Sequence, residues 1–125
     1  MILKRISCSI AVPSGAPSGF TVTASSSTNI TASWRLPPEV DRNGKVTGFK
    51  LFYKEKGSSG SQTVQIPANS ESIWTEVVSG LKKYTEYEFQ VLAYTSVGDG
   101  RNSSVIYSKT KEDGKKLMEH DKQYY

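Results

Sequence analysis

Between residues 86 and 93 the chain alternates strictly. Tyr87, Phe89, Val91 and Ala93 fall on one parity, and Glu86, Glu88 and Gln90 on the other. A period of two predicts a β-strand with one face buried and one in water. The same rhythm recurs upstream. Residues 20–25 alternate, and residues 29–34 place Ile30, Ala32 and Trp34 on one face. Phe49, Leu51 and Tyr53 form one side of a third strand, opposite Lys50, Phe52 and Lys54. Residues 63–66 and 104–110 supply two more short strands. Residues 73–78 are undecided, because Ile73, Thr75 and Val77 compete with Trp74, Glu76 and Val78 for the inner face. The pattern there predicts either a bulge or an exposed Trp74.

Turn signals separate these runs. Pro37-Pro38 stops the second strand, and Asn43-Gly44 tolerates the positive φ of a tight turn. Gly57-Ser58-Ser59-Gly60-Ser61 is a flexible connection, and Pro67 ends a strand or marks it as an edge. Leu81 and Tyr87 stand six residues apart across a basic turn. That spacing suits a tyrosine corner, in which a phenol hydroxyl bonds back to upstream backbone. Seven short β segments without an amphipathic helix predict an all-β antiparallel sandwich. Residues 1–16 read as an arm and linker, since Pro13, Gly15 and Pro17 disfavour regular structure. Residues 17–110 form the domain. Residues 111–125 are charged and almost core-free, which predicts a disordered tail.

Together these residues resemble a fibronectin type III domain over residues 17–110. The resemblance is carried by Pro17, Trp34, Phe49-x-Leu51-x-Tyr53, Gly80-Leu81, Thr85-x-Tyr87, Val91-x-Ala93, Gly98-x-Gly100 and Ser103. Lys83 stands where the family usually has proline, which implies a looser turn. The resemblance implies a seven-stranded immunoglobulin-like sandwich framed by Trp34, Phe49, Leu51, Tyr53, Leu81, Tyr87, Val91 and Ala93. Residues 12–17 look like the joint between successive domains of this kind. The loop at 37–44 is similar to that in tandem arrays of receptor-type tyrosine phosphatases, sidekick proteins and netrin receptors. By resemblance, the chain is expected to be a non-catalytic protein-binding or spacer module of a cell-adhesion molecule, receptor ectodomain or extracellular-matrix protein. Neighbouring repeats are then expected partners. An intracellular scaffold repeat, or an accessory domain of a receptor phosphatase or secreted enzyme, are the alternatives.

Composition adds mostly exclusions. The 125 residues allow one ordinary domain. Sixteen basic and twelve acidic residues leave a scattered charge of +4, which keeps a domain soluble without pointing to nucleic acid. Cys8 is the single cysteine and His120 the single histidine, so no disulfide framework, zinc spacing or His-based catalytic arrangement is expected, and no cofactor. No apolar run reaches the ~20 residues of a membrane helix, and the apolar stretch near Met1 is too short and serine-broken for a convincing signal peptide.

Recognition is expected elsewhere. The loop carrying Val97, Gly98, Asp99, Gly100 and Arg101 is the first candidate, since loops on a rigid frame are free to vary. Phe52 and Trp74 are candidate exposed aromatics. Lys50, Lys54, Lys56, Lys82, Lys83, Lys115 and Lys116 would suit a heparin-like polyanion only if they converged. Asn29-Ile30-Thr31 and Asn102-Ser103-Ser104 are glycosylation sequons, which leans the reading toward an extracellular location.

Overall fold

The computed structural model describes residues 11–112. Cys8, His120 and the expected tail from residue 113 onward lie outside the described residues. Seven strands follow in order: β1 (Ser18–Ala24), β2 (Ile30–Arg35), β3 (Gly48–Glu55), β4 (Gln62–Pro67), β5 (Trp74–Val78), β6 (Glu86–Tyr94) and β7 (Ile106–Lys109). They form a three-stranded sheet ordered β1-β2-β5 and a four-stranded sheet ordered β4-β3-β6-β7, with every named pairing antiparallel. One 3-10 turn, Glu39–Asp41, interrupts the β2–β3 loop.

The alternating residues meet between the sheets. Ile30, Ala32, Trp34, Phe49, Leu51, Phe89, Val91 and Ala93 have essentially no solvent exposure. Trp34 meets Phe20 and Phe49 edge-on, with ring centroids 6.5 and 5.7 Å away, a geometry favoured by the ring quadrupoles. Tyr53 is half-buried and stacks on Phe89 at 5.9 Å. Burial of these rings is the main source of cohesion between the sheets.

The undecided strand resolves against both expectations. Trp74 is only 5% exposed and packs on Phe49 at 4.8 Å, and β5 pairs with β2 in unbroken register from Ile30↔Val78 to Trp34↔Trp74. There is neither a bulge in β5 nor an exposed Trp74. The reason is long-range. Directly opposed residues of paired strands share a face, so the buried parity of β2 dictates that Trp74 and Val78 turn inward. Ile73 and Val77 are left exposed. Glu76 takes the inward parity as well and is half-buried, and an inward-pointing charge on an edge strand discourages pairing with a second sheet.

The last strand is shorter than its sequence suggests. Ser103 replaces a regular ladder step there. Its amide donates to the Val91 carbonyl at 2.8 Å, and the Val91 amide donates to its hydroxyl oxygen at 3.0 Å. Pro67 closes β4, which is an edge strand.

Candidate functional site

The antiparallel registers gather several connections at one end of the sandwich. Trp34 lies opposite Trp74, and Gly48 lies opposite both Pro67 and Tyr94. The loop 36–47, the connection 68–73 and the loop 95–105 therefore leave the sheets on the same side.

The stretch read as a linker is packed into this end. The Ala11 amide donates to Asn43 O at 2.8 Å, and the Ser14 amide donates to Asp41 O at 2.8 Å. The Thr95 hydroxyl donates to Ala11 O at 2.9 Å, and the Asn43 side-chain amide to Val12 O at 3.1 Å. Pro13 is fully buried. Gly100 permits this docking, since a Cβ there would lie 2.7 Å from Pro13 Cβ and 2.8 Å from Pro13 O. The glycine thus serves close approach as well as turning.

The candidate loop is anchored from the sheet. Tyr94 lies over Gly48, where an added Cβ would collide with its hydroxyl. The Lys50 ammonium sits 5.7 Å from the centre of the Tyr94 ring and 3.0 Å from the Asp99 carboxylate. Asp99 is thereby committed to an intramolecular pair. Val97 and Arg101 are exposed, and Gly98 and Gly100 are partly covered. Val97 is 58% exposed, Val40 on the neighbouring loop 84%, and Val12 39%.

The outer face of the four-stranded sheet carries charge pairs. Lys54 faces Glu88 at 3.9 Å and Lys56 faces Glu86 at 3.6 Å, while at the end of β3, on the opposite parity, Glu55 meets Lys82 at 2.7 Å. Glu88 and Glu86 of β6 are thus met by Lys54 on β3 and by Lys56 just beyond it. Glu55 holds the Lys82 ammonium above its ordinary value of 10.5, first through the hydrogen bond and then through its charge. With Lys50 on Asp99, four of the lysines considered for a polyanion already face carboxylates. Phe52 is half-buried rather than exposed. It lies opposite Gln90 and lines a groove of about 260 Å³ with Lys54, Ser61 and Glu88.

At the other end, two polar side chains grip the backbone of one residue, Lys82. Tyr87 is buried, and its hydroxyl oxygen accepts from the Lys82 amide at 2.9 Å, as expected for a tyrosine corner. Thr110 is 1% exposed. Its hydroxyl donates to Lys82 O at 2.7 Å and accepts from the Thr85 amide at 2.9 Å. Sequence reasoning missed Thr110, because a threonine after a strand carries no distinguishing pattern.

Of the sequon asparagines, Asn102 is exposed and Asn29 half-buried in the β1–β2 turn. Among the described residues no group of three or more His, Cys, Asp or Glu is placed to hold a metal. No helix among them is long and apolar enough to cross a membrane.

The family model for the fibronectin type III domain matches residues 15–109. The chain is 44% identical over 103 residues to tyrosine-protein phosphatase Lar of Drosophila melanogaster, covering 82% of this chain and 5% of that protein. It is 41% identical over 106 residues to sidekick-1 of Gallus gallus, again covering 82% of this chain and 5% of the relative. The chain therefore spans about one-twentieth of the length of these curated relatives. The crystal structure of the FN5 domain of Drosophila Lar superposes with a TM-score of 0.60 at 31% identity, covering 80% of this chain and 98% of that one.

Proposed function

This chain belongs to the fibronectin type III family, and we propose that it is a non-catalytic recognition and spacer module of a cell-surface ectodomain. Domains of this family are generally non-catalytic, and this one resembles repeats found in adhesion receptors and phosphatases. The observation that carries the reading is the convergence of the loops 36–47 and 95–105 with the entering chain at one end of a rigid sandwich. There they leave Val12, Val40 and Val97 open while every buried ring works for the frame. Loops held by such a frame present side chains with little ordering on binding. A neighbouring repeat, or a separate protein, meets the module at this end.

Secretory expression tests the placement. Directed into the secretory pathway of mammalian cells, the chain is expected to leave them folded, with glycan on the exposed Asn102 detected as a mass loss on enzymatic deglycosylation. Retention and misfolding, with the same chain folding normally in the cytosol, would contradict the extracellular reading and favour an intracellular scaffold repeat.

A further inference from the structure

A second feature of the same end is a cleft of about 240 Å³, at the mouth between the two sheets, where the loop 36–47 meets the connection 68–73. Its floor is apolar, made by Leu36, Val46, Ala68 and Trp74. Its rim is made of residues that carry hydrogen-bond donors, the half-buried Arg42 and the exposed Lys45 and Asn69. No acidic residue lines it.

The rim groups are left available by identifiable local arrangements. Arg42 spends its Nε on Pro37 O at 2.8 Å, which fixes the guanidinium and leaves its terminal nitrogens without a partner among the described residues. Asp41, the acidic neighbour nearest in sequence, points elsewhere. The Ser14 hydroxyl approaches its Oδ1 at 3.5 Å, and its Oδ2 packs on Gly15, 2.7 Å from where a Cβ there would be. Asn69 accepts the Glu71 amide on its Oδ1 at 2.9 Å, so its NH₂ remains to donate. Lys50, Lys54, Lys56 and Lys82 are paired with carboxylates, whereas Arg42 and Lys45 have no carboxylate within ion-pairing distance among the described residues.

We propose that this cleft receives a carboxylate side chain, Asp or Glu, presented beside an apolar residue by a partner protein. Donors without acceptors, two of them cationic, are complementary to an anionic acceptor, and charge-assisted hydrogen bonds are roughly twice as strong as neutral ones. Arg is suited to fork-like recognition of a carboxylate. The cleft volume falls below the ~300–1,000 Å³ of drug-sized ligand pockets, so it fits one inserted side chain with its apolar neighbour on the floor. The Trp74 indole nitrogen is buried without a partner among the described residues. It has no accessible surface to offer the guest, but it reports on changes in the floor beneath it.

The inference rests on the reading of this end as a recognition surface, and it fails separately from it. The probe is the acetylated, amidated dipeptide Leu-Glu, titrated into the isotope-labelled chain while the Trp74 indole N–H and the backbone amides of residues 42–46 and 68–70 are followed by NMR. The expected result is a saturable shift of these signals, about tenfold weaker for the Leu-Gln analogue. Lys45→Gln, at an exposed position, should weaken Leu-Glu binding severalfold and leave Leu-Gln binding unchanged. Arg42→Gln, with its fold checked by the thermal midpoint, should remove the discrimination. Equal affinity for the two peptides, or no shift of the cleft signals, overturns the carboxylate site. Neither result changes the secretion outcome, which tests the module's placement alone.

Discussion

The Thr110 hydroxyl makes the sharpest energetic prediction, because Thr110→Val removes it while nearly preserving shape. Two bonds disappear, one from the Thr85 amide at 2.9 Å and one to Lys82 O at 2.7 Å. Each net bond contributes about 1 kcal/mol, and a buried amide left unpaired adds about 1–3 kcal/mol of penalty. The new methyl recovers about 0.8 kcal/mol by burial. Taking the lower end of that penalty, the balance is a loss of about 2 kcal/mol, a substantial part of the ~5–15 kcal/mol that holds a typical domain folded. For a domain of about 100 residues this lowers the thermal midpoint by roughly 8–16 °C. Urea denaturation followed by tryptophan fluorescence should show a lower midpoint with an unchanged slope. Thr110→Ser keeps the hydroxyl and drops the methyl, so it should lose only ~1 kcal/mol. A valine variant as stable as wild type, or a serine variant worse than valine, would refute the assignment and leave burial as the residue's contribution.

Three further outcomes follow from the same contacts. Tyr87→Phe removes only the acceptor for the Lys82 amide and should cost about 1 kcal/mol in urea denaturation. Combined with Thr110→Val it should be non-additive, because both residues hold Lys82. Trp34→Ala empties the fully buried site between Phe20 and Phe49 and should lower the unfolding free energy by ~3–5 kcal/mol. A loss under ~1 kcal/mol would place the core elsewhere. Gly100→Ala should displace residues 11–14 while the sheets persist, seen as shift changes confined to those residues and the loops 36–47 and 95–105, with unchanged signals there as the contrary result.

The parts of this molecule that were legible in its sequence are those governed by local periodicity. In β6 the parity of Tyr87, Phe89, Val91 and Ala93 matches the buried set, and the six-residue spacing of Leu81 and Tyr87 foretold the corner. Leu92 departs from that reading, being buried on the outward parity. Trp74 was not legible, because its inward turn is imposed by its partner strand and not by its neighbours. The docking of residues 11–14 depends on Gly100 facing Pro13, a contact between positions far apart in the chain. The cleft was hidden for the same reason, since Arg42, Asn69 and Trp74 meet only after the sheets have paired. Lysines that looked like a loose basic set became ion pairs once β3 and β6 were in register. Periodicity locates faces; register and loop docking decide what the ends of a sandwich present.

The most direct test of the account is amide hydrogen exchange read residue by residue on the intact chain. A rigid frame carrying an adaptable end predicts that Ala32, Trp34, Leu51 and Val91 exchange only through global unfolding. Ser96 and Arg101, at the exposed loop, should exchange orders of magnitude faster. Equal protection of loop and strand amides, or rapid exchange at Trp34 and Val91, would contradict the division of the molecule into a frame and a recognition end.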